Sequence, residues 1–365
     1  MKQSIKLLLG GALLLSLPMF LTSCEDILGE WDKPAPVNVT PDDGGTTSGT
    51  IAYVKYTVSG TTATPSDQQL AEGTYTVVTA DLAELTADKP YVVNDDITIG
   101  HDVTISDDAE IVICDGKTLT INGKLSVVDQ TDPTKNLKLY GQTGKTGTLK
   151  VTNAETTAAV KAICVKGLEV HGACINSTSQ SSSSGQAIHV HGDFNLYDGT
   201  ITATANGDDT QSLEVIAMGG TAKFNMYNGT VTTTGNMQGL MVDHLYLYGG
   251  ELNANGGTQS GGAGAQAVSG EVNVSGGTLT AIGGDAKSGS TQDGGDGIAS
   301  SVNIDGGKII ATGGAADGGA TDGLGISNWA TITTGGTISF YEGNSPNPTT
   351  PGTLPNASKR YVVLQ

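Results

Sequence analysis

The strongest constraint on this chain is a short phrase that returns once per structural unit: apolar-x-apolar-x, two small residues, x-apolar. It reads LKLYG at 137–141, LEVHGACI at 168–175, FNLYDGTI at 194–201 and FNMYNGTV at 224–231. It continues as LYLYGGEL at 245–252, VNVSGGTL at 272–279 and VNIDGGKI at 302–309, with a blurred copy, TITTGGTI, at 331–338. The fifth residues are Gly141, Gly172, Asp198, Asn228, Gly249, Gly276, Gly306 and Gly335, spaced by 31, 26, 30, 21, 27, 30 and 29. Repeats of this length build solenoids, because one unit cannot bury a core alone. Alternation by two inside each phrase is the period of a strand, and the 3.6-residue period of helical repeats is absent. The expected fold is all-β, a single-stranded parallel β-helix, right-handed by the chirality preference of parallel crossovers.

Read as columns, the copies describe a core. The first apolar position holds Leu137, Leu168, Phe194, Phe224, Leu245, Val272 and Val302. The second holds Leu139, Val170, Leu196, Met226, Leu247, Val274 and Ile304, and a third, past the small pair, holds Ile175, Ile201, Val231, Leu252, Leu279 and Ile309. Coils stacked at about 4.8 Å set like on like, and each fully buried residue contributes roughly 1.5–3 kcal/mol. A second strand precedes each phrase, as in AICVKG at 162–167, AIHVHG at 187–192 and GLMVDH at 239–244. Nearly all length variation lies before that strand, in the inserts 177–186, 206–214, 256–265, 283–297 and 313–325. Insertions at one phase project from one edge, which solenoids often use for binding.

Residues 1–23 read as a targeting segment: Lys2 and Lys6 precede an apolar run, 7–17, too short to span a bilayer. The following Leu21-Thr22-Ser23-Cys24 resembles the lipobox of bacterial lipoproteins. That resemblance implies a lipid on Cys24 and a membrane-anchored protein outside the cytoplasm. Glu25-Asp26 resembles the surface-export signals of lipoproteins from Gram-negative gut anaerobes, which implies the outer membrane and a surface-exposed chain. Residues 24–50, with Pro34, Pro36, Pro41 and a Gly/Thr run, read as a flexible tether. Strand-like alternation over 51–93, with a short helix at 81–87, reads as an N-terminal β cap over the first coil's open edge. The β-helix is expected over 94–340, and the proline-rich 341–365, ending in YVVL, as a crossover and capping strand.

The words NLKLYGQTGKTGTLKV at 136–151 resemble a segment common in bacterial surface proteins built on a pectin-lyase-like parallel β-helix; the likeness covers roughly 90–340. It implies that fold and a location, and leaves adhesin-like binding and polysaccharide cleavage open, since the fold hosts both. The lyases of that superfamily need basic groups or cations to neutralise a uronate, whereas this chain has one Arg, Arg360, and few lysines after Lys166. The hydrolases carry Asp with G-H-G and R-I-K words; Gly207-Asp208-Asp209 matches one fragment and the other words are missing.

If the first and third phrase positions face inward, the fourth faces out. That column reads Tyr140, His171, Tyr197, Tyr227, Tyr248, then Ser275 and Asp305. A row of flat rings with polar tips suits a sugar's C–H face and hydroxyl rim. The neighbouring outward column, with Asn195, Asn225 and Tyr246, adds amide donors and acceptors. The expectation is a glycan-binding stripe of Tyr140, His171, Tyr197, Tyr227, Tyr246, Tyr248, Asn195 and Asn225. Against it stands the plain reading that stacked Tyr and Asn ladders stabilise a β-stack.

Other candidates are sparser. His189 and His191 share a strand face above Cys164 and Lys166, and read as solvated histidines rather than metal ligands. Acids in the inserts, Asp208, Asp209, Asp293 and Asp296 among them, offer oxygens to calcium, though the spacing of calcium-binding β-rolls is missing and DGGDGI at 293–298 occurs once. Cys114, Cys164 and Cys174 have no C-x-x-C spacing and read as packing residues.

Formal net charge is −19, and loss of 1–23 removes two lysines and no acid, taking it to −21. Such a surface repels nucleic acid and favours polysaccharide, cell-surface glycan or protein as partner. The functional expectation is a surface-anchored, non-catalytic binding protein, with a polysaccharide lyase or glycoside hydrolase, or a structural stalk, as alternatives.

Overall fold

The computed structural model describes residues 49–156, 159–181, 185–207, 210–217, 219–335, 339–344 and 359–365; the expected signal segment, Cys24 and all but the end of the expected tether lie outside them. The described residues belong to one compact unit, Thr46–Gln365. It is all-β, with no helix among the described residues, and winds into a parallel β-solenoid of about 8 turns.

The phrase columns are the core. On the first face, Ala109, Leu137, Leu168, Phe194, Phe224, Leu245, Val272, Val302 and Ile332 pair in unbroken parallel register from coil to coil. The Phe194 and Phe224 rings stack with centroids 4.6 Å apart and planes 5° apart. The second face repeats the pattern through Leu119, Leu149, Ile175, Ile201, Val231, Leu252, Leu279 and Ile309. The third runs Val103, Leu125, Ile163, Ile188, Leu213, Leu240 and Val268. All of these side chains lie in one continuous apolar cluster. Strands of the middle coils pair with the coils before and after them, so backbone and core depend on the same register.

The corner between the first two faces explains the small pair of the phrase. Its second residue turns with positive φ, 79° at Gly250, 70° at Gly277 and 74° at Gly307, which glycine adopts without a Cβ penalty. A second set of glycines builds the insert edge. The inserts at 256–265, 283–297 and 313–325 do not stand off as loops; they stack backbone on backbone. Gly284 N–H donates to Ala265 O (2.7 Å), Gly295 to Gly284 O (2.9 Å) and Gly314 to Gly295 O (2.8 Å). A Cβ on Gly284 would sit 1.7 Å from Gly257 O, and one on Gly314 1.8 Å from Gly284 O.

Both ends differ from the middle. At the N-terminal end the strands Thr76–Val77, Glu84–Leu85 and Tyr91–Val93 add short rungs to the stack. The helix expected at 81–87 is not formed. Glu84–Leu85 pairs with Thr104–Ile105 and Leu85 is buried in the core; the open edge of the next coil supplies hydrogen bonds that outweigh weak local propensity. The hairpin β1 (Ile51–Ser59) and β2 (Thr62–Leu70) forms its own antiparallel sheet, and β1 lies along the flank of the first face instead of joining the stack. At the C-terminal end Tyr361–Leu364 runs antiparallel between Lys308–Thr312 and Phe340–Gly343, with Val362 and Leu364 buried.

Because Gly284 has no room for a methyl group, Gly284→Ala is expected to lower stability by roughly 1–3 kcal/mol in chemical denaturation. Gly261→Ala, in the preceding insert with nothing within 4 Å, should leave the midpoint unchanged.

Candidate aromatic binding face

The fourth phrase position forms one ring ladder on the outside of the first face. Tyr140 and His171 lie 4.7 Å apart, His171 and Tyr197 4.4 Å, Tyr197 and Tyr227 5.5 Å, and Tyr227 and Tyr248 5.0 Å, with interplanar angles of 13° to 25°. Tyr246, on the neighbouring column, lies parallel to Tyr248 at 6.2 Å. The one-strand spacing of the coils dictates this: identical positions repeat at close to stacking distance. The rings therefore pack on one another and turn edges and hydroxyls outward, where a row of open faces was expected. The ladder ends at Tyr248, because the next coils place the exposed Ser275 and Asp305 at that position.

Half of the ladder is covered. β1 crosses it, with Tyr53 edge-on to Tyr140 at 5.0 Å and Tyr56 parallel to Tyr197 at 6.3 Å. Val54 N–H donates to Gly141 O (2.9 Å) and Gln142 Nε2 to Ala52 O (2.8 Å). Tyr140 and His171 are consequently buried and leave the accessible stripe. The same outward column begins with Val92 and Val112, which with Tyr75 and Tyr140 make a small second apolar cluster beneath the hairpin. Apolar residues at an outward phase were the available sequence signal for this cover.

Two polar groups pin β1. His171 Nδ1 accepts from Tyr56 N–H at 3.0 Å, which places its proton on Nε2, 3.3 Å from Glu169 Oε2. Burial pulls the imidazole below its ordinary range despite the Glu169 contact. Asp198, at the fifth phrase position, is the hub: it accepts from the Tyr56 hydroxyl (3.0 Å), Lys145 Nζ, Asn228 Nδ2 (3.1 Å) and Gly199 N–H (2.8 Å). Burial pushes this carboxyl up, but the hydrogen bonds from Lys145, Gly199 and Tyr56 outweigh it and leave it below the usual range. Burial also pushes the Tyr197 hydroxyl up to about 12 and raises Tyr227 and Tyr248, so the ladder is uncharged at neutral pH.

The amide column is largely spent on itself. Asn225 Nδ2 donates to Asn195 Oδ1 at 2.9 Å, and Asn303 Nδ2 to Asn273 Oδ1 at 2.8 Å. Asn195 and Asn225 thus act as a ladder between coils and keep only their remaining valences for a ligand.

The insert acids have a similar fate. Asp293 Oδ1 accepts from Thr321 N–H (2.7 Å) and Asp296 Oδ1 from Leu324 N–H (2.7 Å), each one coil away, and Asp296 Oδ2 from the Ser327 hydroxyl. Asp208 and Asp209 lie outside the described residues. No group of three or more His, Cys, Asp or Glu among the described residues is placed to hold a metal ion. Cys114, Cys164 and Cys174 are free thiols, with burial pushing Cys114 up to about 11 and Cys164 up to about 12. The reading of His189 as solvated is overturned: it is 4% exposed, beside an equally buried Glu214. His244 Nδ1 lies 3.1 Å from Glu271 Oε2.

Comparison with protein-family models, curated proteins and solved structures returns no significant match to the chain.

The pinning groups set a pH dependence. His171 favours its neutral form when folded, so the stability it contributes is present above its unfolded pKa, about 6.5, and is lost as pH falls below that value. Asp198 adds loss at lower pH, as its depressed folded pKa is approached. Hydrogen exchange at the Val54 and Tyr56 amides should quicken as pH drops below about 6.5, beyond the intrinsic trend. Asp198→Asn should quicken it roughly tenfold at pH 7.

Proposed function

We propose that this protein is a surface-attached, non-catalytic binding protein that holds carbohydrate at the uncovered end of its tyrosine ladder. The observation that carries this reading is where the ladder stops. Tyr248 stacks on Tyr227 on one side and faces a coil bearing only the small, exposed Ser275 on the other. One ring face is thereby left without an aromatic neighbour, with Tyr246 parallel beside it. Such a face matches the C–H side of a sugar, while the Tyr hydroxyls offer donors and acceptors to its rim. Packing from below holds both rings in place, so little side-chain entropy is lost on binding.

The attachment rests on the lipobox-like Leu21-Thr22-Ser23-Cys24 and the acidic pair after it, which support a lipid on Cys24, anchoring in the outer membrane and exposure on the cell surface. A proline-containing tether over 24–50 would then lift the solenoid off the bilayer. The strongly acidic composition agrees with neutral glycan or protein, and not nucleic acid, as partner. The repeated words at 136–151 support kinship with pectin-lyase-like surface proteins of the adhesin-like, carbohydrate-binding kind.

Tyr246→Ala combined with Tyr248→Ala should weaken retention in polysaccharide affinity gels roughly tenfold, with an unchanged CD spectrum and no new reducing ends released by either protein. Unaltered retention would remove the ladder as the binding face. Separately, Cys24→Ser should move the full-length chain from the membrane fraction to the soluble fraction and abolish incorporation of a labelled fatty acid.

A further inference from the structure

On the third face, away from the ladder, the outward column Ser126, Cys164, His189, Glu214 follows the strand register. Beside it opens a groove of about 560 Å³. Gln130, Thr131, Ile216 and Ala217 line it, and Lys161, His189 and His191 supply its chemistry. His189 and Glu214 are 4% and 6% exposed, with Glu214 Oε2 3.5 Å from His189 Nδ1. Neither ring nitrogen of His189, nor Nδ1 of His191, nor Glu214 Oε2 has a hydrogen-bond partner among the described residues. The two imidazoles meet edge to face, 5.9 Å between centroids. Lys161 Nζ donates to Gln130 O at 2.7 Å, leaving two of its three N–H groups uncommitted.

Buried polar atoms without partners cost about 1–3 kcal/mol each; three of these four belong to His189 and His191, which line the groove, and the fourth, Glu214 Oε2, lies against His189. Glu214 Oε2 beside Nδ1 favours the His189 tautomer with its proton on Nδ1, which leaves Nε2 to accept. Lys161 is a cation at the rim. An acceptor and a cationic donor lining one groove with the apolar Ile216 and Ala217 call for a ligand with a hydroxyl, a negative charge and a short carbon skeleton. We infer that the groove binds a small hydroxylated carboxylate, its acid group on Lys161 and His191 and a hydroxyl on Nε2 of His189. Both a free hydroxy acid and an acidic sugar unit carry that chemistry. The site is independent of the tyrosine ladder, and its success or failure does not bear on the ladder.

Titration calorimetry of the Cys24→Ser chain with glucuronate, malate, glucose and acetate tests it. One of the two hydroxy acids should bind at least tenfold more tightly than glucose and acetate; preference for glucuronate identifies a sugar unit, preference for malate a free acid. Lys161→Gln and His191→Gln, both at half-buried positions, should each weaken that binding about tenfold, while Tyr246→Ala with Tyr248→Ala should not. In the unaltered protein, the imidazole resonances of His189 and His191 should shift on titration. Equal binding of glucose or acetate, unshifted imidazoles at about 10 mM acid, or indifference to both substitutions would each overturn the proposal.

Discussion

Everything in this molecule depends on register between successive coils. A parallel strand satisfies its backbone only on neighbouring strands, and along the middle coils each neighbour is the corresponding strand of the next coil. Backbone pairing and side-chain stacking are thus a single constraint. A slip of one residue would turn Phe194, Phe224 and Leu245 to solvent and their polar neighbours inward. The same constraint makes the glycines of the insert edge indispensable, because backbone there approaches backbone with no space for a Cβ.

The exterior inherits this order. Like stacks on like outside as well as inside, which yields the tyrosine ladder, the asparagine pairs, and carboxylates that accept from backbone one coil further on. Most of these repeats are structural in the first instance. The two proposed binding positions lie where a repeat is interrupted: where Tyr248 meets Ser275, and where His189 and Glu214 bring two unlike polar groups into adjacent rungs of a column that Ser126, Cys164 and Met241 continue on either side. The hairpin β1–β2 is another interruption, covering the early ladder and held by Asp198 and His171.

Much of the fold was legible because it is periodic. The columns from Leu137 to Val302 and from Ile175 to Ile309 could be read directly, and their inward and outward phases are those observed. Legibility failed at features that occur once. Short-range propensity at 81–87 favoured a helix where a rung forms. Nothing periodic announced that Tyr56 would reach His171, 115 residues away, although Val92 and Val112 at the outward phase marked a covered surface. His189 reads as solvated from its own strand, since its neighbours in the column, Cys164 and Glu214, come from other coils.

The sequence by itself determined the solenoid, its core columns and the position of the glycine turns, because these follow from alternation and repeat length, properties of residues close together in the chain. Only the tertiary structure decided which rings are covered, that the late inserts pack into the wall, and that His189 lies against Glu214 beside a groove. Those outcomes rest on contacts between segments far apart in sequence, whose geometry no local pattern encodes.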